Sequence, residues 1–195
     1  MNFVLFYSIC FEIIQFFFLP FLKLQGKKVR KNVLKLPEAT GNRSGVIGKG
    51  QIIKILCIGD SSASGVGVEH IDQSLSGNLI NNLKLNFKCK WKVIAKSGAN
   101  SNQLIDLLLL EKNQKFKFVV ISIGMNDITS GKSLIIFKKN LIKLEYILSK
   151  KFSVNHFIYS GMPPVHKLKT VPNPLKSILA IKALIFDKFL MAFDF

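Results

Sequence analysis

The stretch IIKILCIGDSSASGVGV, residues 52–68, decides the fold. Ile52 to Ile58 is apolar except for Lys54, rich in β-branched residues, and short enough to be a strand buried on both faces. Gly59 ends the run. Asp60, Ser61, Ser62, Ala63 and Ser64 follow, small residues that let the backbone turn sharply into a helix. A buried strand that stops at such a turn predicts one unit of a parallel sheet covered by helices.

Reading outward, Trp91 to Ala95, Phe118 to Ile123 and Phe157 to Tyr159 are further short apolar runs, each ending at a small or polar residue. Between the runs, three stretches repeat apolar residues at helical spacing: Leu75, Leu79, Ile80 and Leu83; Leu104, Ile105, Leu107 and Leu108; and Leu134, Phe137, Leu141, Leu144 and Leu148. A last helix, about residues 175–193, follows a loop broken by Pro163, Pro164, Pro172 and Pro174. The expectation is four buried strands joined by crossover helices, an α/β domain spanning residues 52–195.

In such a sheet the ligand site lies beyond the carboxyl ends of the strands. GDSSASGVGV, SGAN at 97–100, GMND at 124–127 and SGMPP at 160–164 occupy those ends. Ser61, directly after a strand, can present its Oγ at the rim as a nucleophile. Gly98 lets a bare N–H approach a substrate oxygen, and Asn126 offers an amide donor from the neighbouring strand end. With the N–H of Ser61 they would form an oxyanion hole, each donor worth about 3 to 4 kcal/mol to a tetrahedral intermediate. Duller roles stand beside these. Asp60 can be a loop acid, Ser61 and Ser62 can cap the next helix, Gly98 can serve a turn, and Asn126 with Asp127 can be an Asx turn.

Gly59, Asp60 and Ser61, then Gly98, then Gly124, Asn126 and Asp127 resemble, in order, the blocks of the SGNH hydrolases, also called GDSL-type esterases or lipases. An LPEATG stretch at residues 36–41 is also similar to members with a hydrophobic N-terminus. The resemblance implies a three-layer α/β/α fold with a flavodoxin-like parallel sheet, Ser61 as nucleophile, Gly98 and Asn126 in the oxyanion hole, and Asp60 and Asp127 in support. It implies hydrolysis of a small-molecule or lipid carboxylic ester through an acyl-enzyme, with no cofactor. The family's final DxxH block, which supplies the general base after a fifth strand, has no counterpart here. Asp194 stands near the end with no histidine after it, so the chain is expected to be truncated before that block and impaired in activity. His156 precedes a strand and so sits at the wrong end of the sheet, His70 lies in the loop beyond the nucleophile, and His166 alone follows a strand at the right rim, a weak surrogate base. The alternative is a non-catalytic, membrane-anchored binding or scaffold protein that keeps the hydrolase architecture.

Other classes fit less well. The chain has 195 residues and 28 basic against 11 acidic side chains, a formal net charge of +17. Arg30 and Arg43 are its only arginines and the lysines are scattered, so the charge reads as solvated surface with no nucleic-acid partner. Residues 59–68 lack GxGxxG, and Asn126 stands where a P-loop ending in Gly131, Lys132 and Ser133 needs glycine. Cys10, Cys57 and Cys89 are far apart, and no histidine pair has ligand spacing, so neither a disulfide framework nor a metal site is encoded. Oligomeric state is not legible.

Residues 1–25 read as a membrane anchor. From Phe3 to Leu22 the chain is almost wholly apolar, and about 20 residues at about 1.5 Å rise match a hydrocarbon core of about 30 Å. Its aliphatic and phenyl side chains supply about −6 kcal/mol against about +3 for Glu12 near the middle, so insertion wins narrowly. A helix lying in the interface, or one that pairs Glu12, is the other reading. Lys23, Lys27, Lys28, Arg30, Lys31 and Lys35 follow, which places this flank and the domain on the cytoplasmic side of a single-pass anchor. Residues 26–51, polar, basic and broken by glycines, read as a linker.

Overall fold

The computed structural model describes residues 2–193; Asp194 lies outside them. The chain divides into two compact units. One holds residues 36–126 and 139–160, the other residues up to 35, 127–138 and from 161 on.

The first unit is built on one sheet. Its strands are β1 (Ser44–Ile47), β2 (Ile52–Gly59), β3 (Lys88–Ala95), β4 (Phe118–Ser122) and β5 (His156–Tyr159), in the order β1-β3-β2-β4-β5. β2 to β5 are parallel, with Cys57 level with Val93 and Val120, and Val120 level with Ile158. The order β3-β2-β4-β5 reverses direction at β2 and β4, which opens a crevice at their carboxyl ends.

Helix α2 (Ser61–Ser64) and helix α3 (Leu75–Leu83) follow β2, and helix α4 (Ser101–Leu110) follows β3. Ile55 and Cys57 of β2 and Cys89 and Val93 of β3 pack with Ile80 of α3 in one buried cluster. The alternate residues Leu56, Ile58, Val119 and Ile121 point to the opposite face and are also buried. Right-handed crossovers send α4 and helix α6 (Leu134–Phe152) to that second face, giving helices on both sides of the sheet. Asn100 caps α4 by accepting from the N–H of Asn102 and Gln103, while Gln103 accepts from the Asn100 N–H.

The second unit contains α1 (Asn2–Asn32), most of the short helix α5 (Met125–Thr129), the start of α6, a 3₁₀ turn at Val165–Lys167 and α7 (Leu175–Met191). Leu22 and Val29 of α1 pack against Val171, Leu175, Ile178 and Leu179.

Two features add to the sequence reading. The sheet is mixed, because β1 runs antiparallel to β3, with Gly45 opposite Trp91. And residues 26–51 are not simply a linker: α1 continues through the basic run to Asn32, and β1 forms inside the glycine-rich stretch. Lysine and arginine are good helix formers and favour the carboxyl end of a helix dipole, so charge ended the apolar pattern without ending the helix. A four-residue strand is too short to show a period, and β1 exists through the ladder that β3 offers it.

Candidate active site

Three strand ends of the sheet unit meet. β2 ends at Gly59, whose conformation leaves no room for a side chain: a Cβ there would lie 2.2 Å from the Ser122 carbonyl oxygen at the end of β4. This close approach lets the Asp60 N–H donate to Ser122 O at 3.0 Å, which pins the turn to β4. Asp60 is buried, and its Oδ1 accepts from the Ser62 N–H at 3.2 Å. Asp60, and not Ser61 or Ser62, is therefore the cap of α2. Ser61 is the first residue of that helix, where backbone N–H groups have no partner within the helix, and it is half-buried at the rim.

Asn126, from the end of β4, ties the turns together. Its Nδ2 donates to Asp60 Oδ2 at 3.3 Å and to the Ala99 carbonyl at 3.0 Å. One amide thus bridges the turn that carries Ser61 and the loop that carries Gly98. Gly98 itself has φ +75° and is open to solvent, with no atom within 4 Å of where a Cβ would sit.

Sequence reading missed the group that holds the Gly98 loop. Glu38 Oε1 accepts from the Ser97 N–H, and its Oε2 accepts from Arg43 Nη2, while Arg43 Nη1 donates to the Ala95 carbonyl at 2.8 Å. Burial alone would raise the Glu38 pKa, but the Ser97 N–H, Arg43 and Lys96 outweigh it and hold the carboxyl below the ordinary value. The next residues clasp the Ser61 turn: Ala39 N–H donates to Ser64 O at 3.3 Å. The available signal was a Glu and one of only two arginines, five residues apart, inside the presumed linker.

An apolar cavity of about 140 Å³ adjoins the same turn, lined among others by Cys57, Ala63, Leu75, Leu79, Val120 and Ser122. Burial pushes the Cys57 thiol up to about 11, so at neutral pH it is not a thiolate competing with Ser61.

The remaining candidates lie elsewhere. Asp127 belongs to the α1 and α7 unit, fully buried and paired with Lys132 at 3.1 Å. His166 belongs to that unit too, exposed in the 3₁₀ turn. His156 opens β5 at the amino end of the strands, stacked on Phe118 with centroids 4.9 Å apart. His70 Nδ1 is within 3.1 Å of Thr40 Oγ1. No group of three or more metal-ligating side chains occurs among the described residues.

No protein-family model and no curated protein matches the chain. Solved structures do. The chain is similar to a member of the lipolytic G-D-S-L family from Veillonella parvula, 16% identical over 72% of this chain and 71% of that one, with a TM-score of 0.54. An extracellular lipase from Streptomyces rimosus matches at 14% identity, 72% and 75% coverage and a TM-score of 0.51. AlinE4, an SGNH-hydrolase family esterase, matches at 22% identity, 74% and 80% coverage and a TM-score of 0.50. At these identities the likeness is one of fold: the chain has the α/β architecture found in SGNH esterases and lipases.

Proposed function

We propose that the chain is a carboxylic-ester hydrolase working through an acyl-enzyme on Ser61, held at a membrane by α1. The observation that carries this reading is the Asn126 amide, which bonds both the Asp60 carboxylate and the Ala99 carbonyl and so gathers three strand ends around the Ser61 turn. Ser61 Oγ attacks the ester carbonyl carbon, and the oxyanion is received by the N–H groups of Ser61 and Gly98 and by Asn126 Nδ2. The contact of Asn126 with Asp60 is the longer of its two, and it is the one exchanged for the substrate oxygen. Collapse of the intermediate expels the alcohol, which takes up through solvent the proton lost from Ser61 Oγ, and water then releases the acid and returns a proton to Oγ. The apolar cavity beside Ala63 suits a short acyl chain.

The general base is the weak point of this site. His70 is engaged by Thr40 and His156 stands at the far end of the strands, so neither serves Ser61. Without an imidazole on Ser61, turnover rests on the oxyanion hole and binding, about 10³ to 10⁴ over water. The test is hydrolysis of a p-nitrophenyl butyrate series by the detergent-solubilised chain, together with labelling by a fluorophosphonate. Slow turnover and labelling, both abolished in Ser61→Ala and turnover lowered at least tenfold in Asn126→Ala, are expected. No labelling and no turnover in the parent chain overturn the hydrolase reading in favour of a membrane-anchored binding or scaffold protein, and labelling and turnover that survive Ser61→Ala overturn Ser61 as the nucleophile. His166→Ala separates a base from a bystander: a further tenfold loss supports the first, an unchanged rate excludes it.

A further inference from the structure

Helix α1 is long and apolar enough to cross a membrane, over Phe3–Asn32. Its contacts describe another arrangement. The less exposed residues Val4, Ser8, Phe11, Gln15, Leu19 and Leu22 recur every three or four positions and form one stripe, which Gly26 and Val29 continue. Partners lie along the stripe. Near its start, Glu12 Oε1 accepts from Ser8 Oγ and from the Leu134 N–H, each at 3.2 Å, and its charge attracts the buried Lys182 of α7. Towards its end, Gln25 Nε2 donates to the Asn173 carbonyl at 2.9 Å and Gln25 Oε1 accepts from the Leu175 N–H at 3.2 Å. From residue 8 to residue 29 the docked line runs about 30 Å.

A perpendicular crossing is incompatible with those contacts. With Phe3 to Leu22 in the hydrocarbon, Glu12 sits near the midplane and draws Lys182, the amino end of α6 and its neighbours Lys132 and Lys138 in after it. Glu12 alone offsets about half of what the apolar run gains, and the buried Lys182 that it brings with it adds a cost of similar size. A helix lying in the plane keeps every contact. Its outer side carries Phe3, Phe6, Ile13, Phe16, Phe17 and Phe21, each 51–77% exposed, and Lys23, Lys27, Lys28, Arg30 and Lys31 follow at its carboxyl end.

We propose that α1 is a monotopic membrane helix: its polar-centred stripe stays docked on α7 and residues 127–138, while its phenylalanine side lies in the interface of an anionic bilayer and its basic end meets the headgroups. A lipid surface is the fitting partner because the apolar side is continuous over the helix length and adjoins a run of positive charge. This replaces a single-pass anchor with one that leaves both ends of α1 on the same side. It rests on the membrane attachment proposed above and not on the chemistry at Ser61.

The experiment uses the full chain added to preformed vesicles of phosphatidylglycerol and phosphatidylcholine, in a Cys10→Ser background with Cys57 and Cys89 buried. A cysteine placed ahead of Met1, and Leu34→Cys at an exposed position, are each treated with a membrane-impermeant maleimide. The expected result is labelling of both from outside to within twofold, sedimentation with vesicles that falls about tenfold between low and high salt, and a further tenfold loss in Phe17→Glu. The amino-terminal cysteine labelled only after lysis, with Leu34→Cys labelled outside, overturns the proposal in favour of a crossing helix. Absence of vesicle binding, with self-association lost in Phe17→Glu, overturns it in favour of a second copy on this face. None of these readouts depends on ester hydrolysis, so they fail or succeed independently of Ser61→Ala.

Discussion

Glu38 holds the Ser97 amide with one oxygen and Arg43 with the other, and so fixes the loop that carries Gly98. Removing it in Glu38→Ala leaves the Ser97 N–H and the Arg43 fork without their acceptor, at a cost of about 1 to 2 kcal/mol. Faster amide exchange at Ser97 and Gly98 is expected and, on the proposed function, a kcat lowered about tenfold with KM little changed, because a displaced Gly98 N–H would be felt in the transition state. Glu38→Gln keeps an acceptor for Ser97 and is expected to recover most of the exchange protection; the pair with Arg43 is about one-third exposed, so its charge alone is worth little. The Glu38 pKa is depressed in the folded state, so its contribution is present above the unfolded value of 4.5 and is lost as pH falls through the folded one. Exchange protection at Ser97 that is identical in Glu38→Ala and parent would remove the positioning role. The strand-end positions of Ser61, Asn126 and Gly98 could be read because each follows an apolar run. The role of Glu38 could not, since nothing local says which amide a carboxylate will meet.

At the scale of elements, β5 is tied to α6 by the Tyr159 hydroxyl, which donates to Glu145 Oε1 at 2.7 Å. Burial raises the Glu145 carboxyl to about 7, against the Tyr159 hydrogen bond, which lowers it. A folded pKa above the unfolded 4.5 means that stability is full below about pH 4.5, declines as pH rises to about 7, and is level beyond. The decline should be on the order of 2 to 3 kcal/mol. Thermal unfolding at pH 5 and pH 8 checks this: the parent chain should lose stability between the two, and Glu145→Gln, neutral throughout, should lose markedly less. Equal losses in both would show that other groups set the pH response. The apolar runs of β2 and β4 and the leucine periods of α3 and α6 could be read because each buries a regular face. β1 and the carboxyl half of α1 could not, since one depends on a partner strand and the other hides a helix under its charges.

On the whole-molecule scale, the apolar excess and the net charge of +17 meet in α1, whose exposed phenylalanines border its basic end. Glu12 has a structural task there as the counter-charge to the buried Lys182. Glu12→Gln leaves Lys182 buried without its attraction and is expected to cost on the order of 1 to 3 kcal/mol, while Lys182→Met in that background should recover most of it. Unfolding of the four species in detergent gives the coupling, and additive losses would dissolve the pair. Composition, hydrophobic period and turn chemistry determined the α/β class, the strand ends at which chemistry is possible, and a long apolar N-terminal helix. These follow from interactions between near neighbours in the chain. Tertiary structure alone decided that Asn126 bridges Asp60 and Ala99, that Glu38 reaches Ser97, that β1 joins the sheet antiparallel, and that α1 meets α7 and the start of α6 through Glu12, Leu22, Gln25 and Val29. Each of those depends on groups far apart in sequence, which are adjacent only once burial has chosen which faces meet.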